Sequence, residues 1–133
     1  MLTMTKKTFT LFLLMTGFAC STAEEKLSTE LQEKVLLLHD TLMPKTEQLV
    51  SLKSSLDSLS RGKDSVHVKQ LINALGKADQ SMMDWMHQFS IDSLSKMAVG
   101  DKISYLQAQY SALTNLKSST DSSLHAAQTY LSR

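Results

Sequence analysis

Residues 27–59 read LSTELQEKVLLLHDTLMPKTEQLVSLKSSLDSL, and this stretch decides the fold class. Its apolar residues recur at Leu27, Leu31, Val35, Leu38, Leu42, Leu49, Leu52, Leu56 and Leu59. Steps of three and four put them on one face of a helix. Their mean spacing approaches the coiled-coil period of about 3.5 residues, which predicts long helices packed at a shallow angle. Pro44 interrupts the run. It lacks a backbone donor and crowds the preceding turn, so it should bend the helix or split it. The stripe resumes in phase beyond it, which favours one helix kinked at Pro44.

Downstream, Arg61-Gly62-Lys63-Asp64-Ser65 reads as a turn, with glycine ending one helix and Asp64 or Ser65 capping the next. The second helix carries Val68, Leu71, Ile72, Leu75, Ala78, Met82, Met83, Trp85, Met86 and Phe89. Gly76 lies inside it, suggesting close approach by a neighbour. A looser link over 90–100 holds a possible helical turn at 93–97. Asp101 then caps a third helix with the stripe Ile103, Leu106, Tyr110, Leu113, Leu116, Leu124, Ala127 and Leu131. The polar stretch 117–123 should be its least buried part. The chain has 4 glycines and 1 proline, and no long window alternates as a strand does. Short links make sequential helices antiparallel neighbours. The expectation is an all-α, up-down-up three-helix bundle over 27–133, with long coiled-coil-like helices.

Upstream of the bundle, Lys6 and Lys7 precede an apolar run of about a dozen residues that ends at Gly17-Phe18-Ala19-Cys20. A basic start, an apolar centre and a small residue before the cut are the parts of a secretory signal. The run falls short of the about 20 residues that span a bilayer. The single cysteine cannot close an intramolecular disulfide, and a free thiol is unusual in an exported protein. Acylation of Cys20 consumes that sulfur. The reading is a lipoprotein signal over 1–19, the acylated Cys20 with a polar tether over 20–26, and an exported, lipid-anchored protein of the bacterial cell envelope, at the outer membrane in preference to the inner. Ala19 and Cys20 fit the lipoprotein cleavage pattern, while Gly17 and Phe18 depart from it. An ordinary secretory cut after Ala19 and an uncleaved interfacial anchor are the rival readings.

Loss of Lys6 and Lys7 with the signal reduces 14 basic residues to 12 against 13 acidic ones. With the signs interspersed, no concentrated positive surface exists for a phosphate backbone, so nucleic acid is not an expected partner. Attachment to a membrane then rests on the lipid.

Two stretches carry unusual chemistry, His39-Asp40-Thr41-Leu42-Met43-Pro44 and Asp79-Gln80-Ser81-Met82-Met83-Asp84-Trp85-Met86-His87. His39 and Met43 share a helix face, as do Met83 and His87. Folding about Gly62 brings residue 39 near 85, and Met43 near Ser81 and Met82. Imidazole and thioether donors suit a soft metal such as Cu(I), with His39, Met43, Met82, Met83, Met86 and His87 as candidate ligands. The same methionines and tryptophan also serve simply as core. A third reading pairs His39 with Asp79 or Asp84 as a polar contact that sets helix register. His67 and His125 should be solvated. Neither a Ser-His-Asp arrangement, a His-Glu-x-x-His motif, a glycine-rich phosphate loop nor a cysteine pair can be found, so the expected role is non-enzymatic.

On the His-Asp-Thr-Leu-Met-Pro and Met-Met-Asp-Trp-Met-His-Gln-Phe stretches, the chain resembles small Bacteroidetes lipoproteins often labelled viral A-type inclusion proteins. The resemblance runs from the lipid signal to the final helix near Tyr130-Leu131. It implies a small helical envelope lipoprotein without a catalytic role, and the label reflects helical composition. Two functions follow as expectations: a bundle that presents its surface to an unidentified protein partner, and a periplasmic binder of Cu(I).

Overall fold

The computed structural model describes residues 16–62 and 64–133, with side chains from Thr22 onward. The expected leader over 1–19 and the expected acylation site Cys20 thus lie outside the described residues, save for helical backbone from Thr16. Among the described residues four helices occur in order: α1 (Thr16–Leu59), α2 (Ser65–Gln88), α3 (Ile91–Leu94) and α4 (Val99–Leu131). The three long ones pack against one another pairwise, and no strand occurs among the described residues.

α1 is one continuous element of 44 residues that contains Pro44. It does not begin near Leu27. The expected tether at 20–26 is helical, and Thr22 to Leu27 are all exposed. Helix-tolerant Ala23, Glu24, Glu25 and Lys26 prolong the helix beyond the packed region. Ser28, by contrast, is buried, its hydroxyl donating to the Glu25 carbonyl at 3.0 Å.

α1 and α2 are joined by a tight turn in which the Gly62 N–H donates to the Leu59 carbonyl at 3.1 Å and the Ser65 N–H to the Gly62 carbonyl at 3.2 Å. Asp64 occupies the N-cap of α2 without a side-chain cap bond. The link after α2 condenses into α3, where Ser90 Oγ accepts the Ser93 N–H. That link is tied to α4 by the Ser90 N–H, which donates to the Tyr105 hydroxyl at 3.4 Å. The cap of α4 is Ala98, and Asp101 sits inside the first turn, where a carboxylate still favours the helix dipole.

The core is divided in two. Leu31, Val35, Leu42, Met82, Trp85, Leu94, Leu106, Leu113 and Leu116 form one cluster. Leu49, Leu56, Val68, Leu71, Leu75, Ala78, Leu124 and Ala127 form the other. A polar layer lies between them in α1 and α4. Lys45 falls seven residues after Leu38 and seven before Leu52, the place where the stripe calls for another leucine. Its ammonium pairs with Asp121, which also accepts from Lys117 Nζ at 2.6 Å. Thr120 beside it is only 2% exposed. The polar stretch of α4 is therefore not its least buried part: it spans the junction of the two clusters, and Thr120 continues the seven-residue series Leu106, Leu113, Thr120, Ala127. Four stripe residues, Leu27, Leu59, Tyr110 and Leu131, lie exposed toward the helix ends and outer flank.

Candidate functional site

The heptad-like stripes of α1 and α2 and the turn at Gly62 set which residues meet at each level. His39 and Trp85 do meet: their ring centroids are 5.5 Å apart at 30°. From Trp85 the rings continue to Phe89, stacked at 4.8 Å, and on to Tyr105 at 6.2 Å. This aromatic column ties α1, α2 and the start of α4 together at one end of the bundle. Aromatic contacts in these geometries add about 0.5–1.5 kcal/mol each beyond area burial.

The other candidate ligands differ in exposure. Met82 is 1% exposed and belongs to the leucine core. Met86 packs against that same core. Met43 and Met83 are exposed, as is His87. Four residues separate Met83 from His87, which keeps both on the outer side of α2, whereas Met82 faces inward. A helix cannot turn adjacent residues to a common point, and this disperses the Met82–Met83 pair. Among the described residues, no three His, Cys, Asp or Glu side chains gather as a metal-holding group.

The polar contact expected between His39 and Asp79 or Asp84 is replaced by one within α1. His39 Nδ1 lies 3.1 Å from Asp40 Oδ1. Asp84 accepts instead from Gln80 Nε2 at 2.8 Å, an (i, i+4) pair on the surface of α2. Asp79 lines a shallow depression with Thr46, Glu47, Val50 and Ser51. His67, expected to be solvated without a partner, is exposed yet lies 5.4 Å from the Tyr130 ring. His125 is exposed.

Trp85 is 8% exposed, and its indole N–H is buried without a hydrogen-bond partner. A buried unpaired donor costs about 1–3 kcal/mol. The stacked Phe89 and tilted His39 rings retain the indole there. The edge of Trp85 also contributes to a shallow groove between α2 and α4, with Ser81, Asp84 and Gln88 on one side and Asn115 and Ser119 on the other.

A perturbed titrating group lies at the polar layer. Asp121 is held below the usual carboxylate range, chiefly by the hydrogen bond from Lys117 and next by that from Lys45. Sequence reading passed over Lys45 and Asp121. The signal for Lys45 was available as a charged residue standing in the apolar series 38, 45, 52.

On the outer side of the α1–α2 pair, Met43, Val50 and Met83 are exposed apolar side chains. Lys53 Nζ reaches across to Gly76, where an added Cβ would sit 3.9 Å from it. No described helix is long and apolar enough to cross a membrane. No protein-family model, curated protein or solved structure matches the chain.

Proposed function

We propose that this chain is an exported, non-enzymatic lipoprotein of the bacterial cell envelope, held by acyl chains on Cys20 and presenting its helical bundle to a protein partner. The order Lys6-Lys7, apolar run, Ala19-Cys20 supports the address, and the resemblance to small envelope lipoproteins points the same way. Several acyl chains anchor firmly, since each buried methylene adds about 0.8 kcal/mol. The observation that carries the binding role is the apolar strip left open on α1 and α2, where Val50 is 56% and Met83 42% exposed. Exposed apolar patches mark interaction sites.

We further infer an up-down-up order of the three long helices with α1 bent at Pro44. Contacts support the order: His39 meets Trp85 and Lys53 approaches Gly76, as oppositely running α1 and α2 require. Ser123 donates to the Ala74 carbonyl at 3.4 Å while His67 meets Tyr130, as an opposite run of α2 and α4 requires too. For the bend, Pro44 leaves the Asp40 carbonyl without its usual helical donor. Thr41 and Thr46 hydroxyls donate to the Leu37 and Met43 carbonyls at 2.8 and 2.6 Å, a back-bonding pattern that bends helices.

Cys20→Ser tests the anchor. The variant should lose labelling by a palmitate analogue and leave the membrane fraction. Unchanged membrane attachment would reject it.

A further inference from the structure

The open strip on α1 and α2 has a definite pattern. Leu36, Met43 and Val50 follow one another at seven-residue spacing on α1. Seven residues also separate Asp79 from Met86 on α2, with Met83 between them. Met43 is 36% exposed, Val50 and Met83 more so, and Leu36 and Met86 are half-buried. The two rows face each other at one level, where Val50, Glu47 and Thr46 of α1 line a common depression with Asp79 of α2. Lys53, lying over Gly76, marks one end. From Leu36 to Val50 the α1 row is about 21 Å long at 1.5 Å per residue, matching about four helical turns. Seven-residue repeats on both walls are what knobs-into-holes packing of a further helix requires.

Charge selects the occupant. Glu33, Asp40 and Glu47 also stand seven residues apart, each three or four positions from a strip residue and so beside it on α1. All three are exposed, and Asp79 adds a fourth carboxylate in the common depression. The α2 rim carries Gln80 and His87, with no carboxylate row. A second copy offers no heptad row of cations to match, because no two lysines or arginines of this chain fall seven residues apart.

We propose that the α1–α2 trough takes an amphipathic helix of a partner protein, about four turns long, with an apolar stripe flanked by lysine or arginine. This rests on the partner-presenting role above and names its surface and chemistry. Apolar anchors supply affinity, while the acidic row steers and orients the incoming helix.

The test uses the full chain in detergent and two labelled synthetic helices of about 18 residues. Both carry the same leucine stripe; one is flanked by lysines and the other by glutamates. Saturable binding of the lysine helix, weakened by salt and at least about tenfold tighter than that of the glutamate helix, is the expected result. Val50→Glu with Met83→Glu should weaken it at least about tenfold. Both positions are exposed, and an unchanged melting curve would show that the bundle persists. Glu33→Lys with Glu47→Lys should reverse the preference between the two helices. Failure of the lysine helix to bind, or binding indifferent to these substitutions, overturns the proposal. So does a dimer in sedimentation that Val50→Glu dissolves, which would make a second copy the occupant. A photo-reactive residue at position 50 or 110 in cells separates the two levels of the argument. Protein adducts from 110 alone reject the trough and leave the partner-presenting role standing; adducts from neither reject both.

Discussion

Gly76→Ala is expected to stabilise the bundle by about 1 kcal/mol. Gly76 lies inside α2, where glycine costs about 0.8–1.0 kcal/mol relative to alanine. Much of that cost comes from the larger freedom of glycine in the unfolded chain. The opposing term is steric. The nearest heavy atom to the new methyl, outside its own helix, is Lys53 Nζ at 3.9 Å. This is ordinary van der Waals contact with the tip of a flexible chain, so the steric cost is close to nothing. The propensity term wins. For a chain of this size, about 1 kcal/mol corresponds to a rise in Tm of about 3–5 °C. Far-UV circular dichroism during heating and urea unfolding measures it, with the slope against urea unchanged. A fall in Tm that Lys53→Ala repairs would mean the lysine is rigidly seated. A fall that persists with Lys53→Ala would mean that a neighbouring backbone lies closer than described, and the packing of α1 on α2 would be refuted.

Asp121→Asn should cost about 1 kcal/mol near neutral pH, since both ion pairs are partly solvated and exposed pairs contribute about 0.2–1 kcal/mol each. Because Asp121 is held below the ordinary carboxylate range by Lys117 and Lys45, its contribution is present above about pH 4 and fades as pH falls through its lower folded value. Urea titrations of both proteins should therefore converge in strong acid, and a constant gap would contradict this. Leu113→Ala removes a fully buried side chain and should cost about 2–5 kcal/mol in the same assay; a smaller loss would mean a looser core. A competition titration with a chromogenic Cu(I) chelator should show no saturable uptake, because Met82 is enclosed while Met83 and His87 face outward. Uptake abolished by His39→Ala with His87→Ala would reverse that conclusion.

The helical class and the meeting of residues 39 and 85 were legible in the sequence, because spacing of three and four residues fixes a buried face and a short turn fixes the level of each pair. The start of α1 was not, since exposed Ala23 to Lys26 suit a helix and a tether equally well. The polar layer escaped notice because Lys45 and Asp121 are 76 residues apart in sequence, and each alone looks like a solvated charge. Thr120 shows the same limit: its burial follows from the seven-residue series through Leu113 and Ala127, while its serine-rich neighbours suggest a surface. Within the candidate ligand set, proximity in level does not fix direction around a helix. Met82 and Met83 point some hundred degrees apart, and only one of them reaches the core. Asp40 next to His39 was in plain view, but a neighbour in sequence is rarely weighed as the partner of a helical side chain.

Intact mass measurement of the protein extracted from its native membrane tests the central claim most directly. The account predicts a chain that begins at Cys20, lacks residues 1–19 and carries the added mass of a diacylglyceryl group on the cysteine sulfur. An unmodified thiol at Cys20, or a chain still joined to its leader, would contradict it.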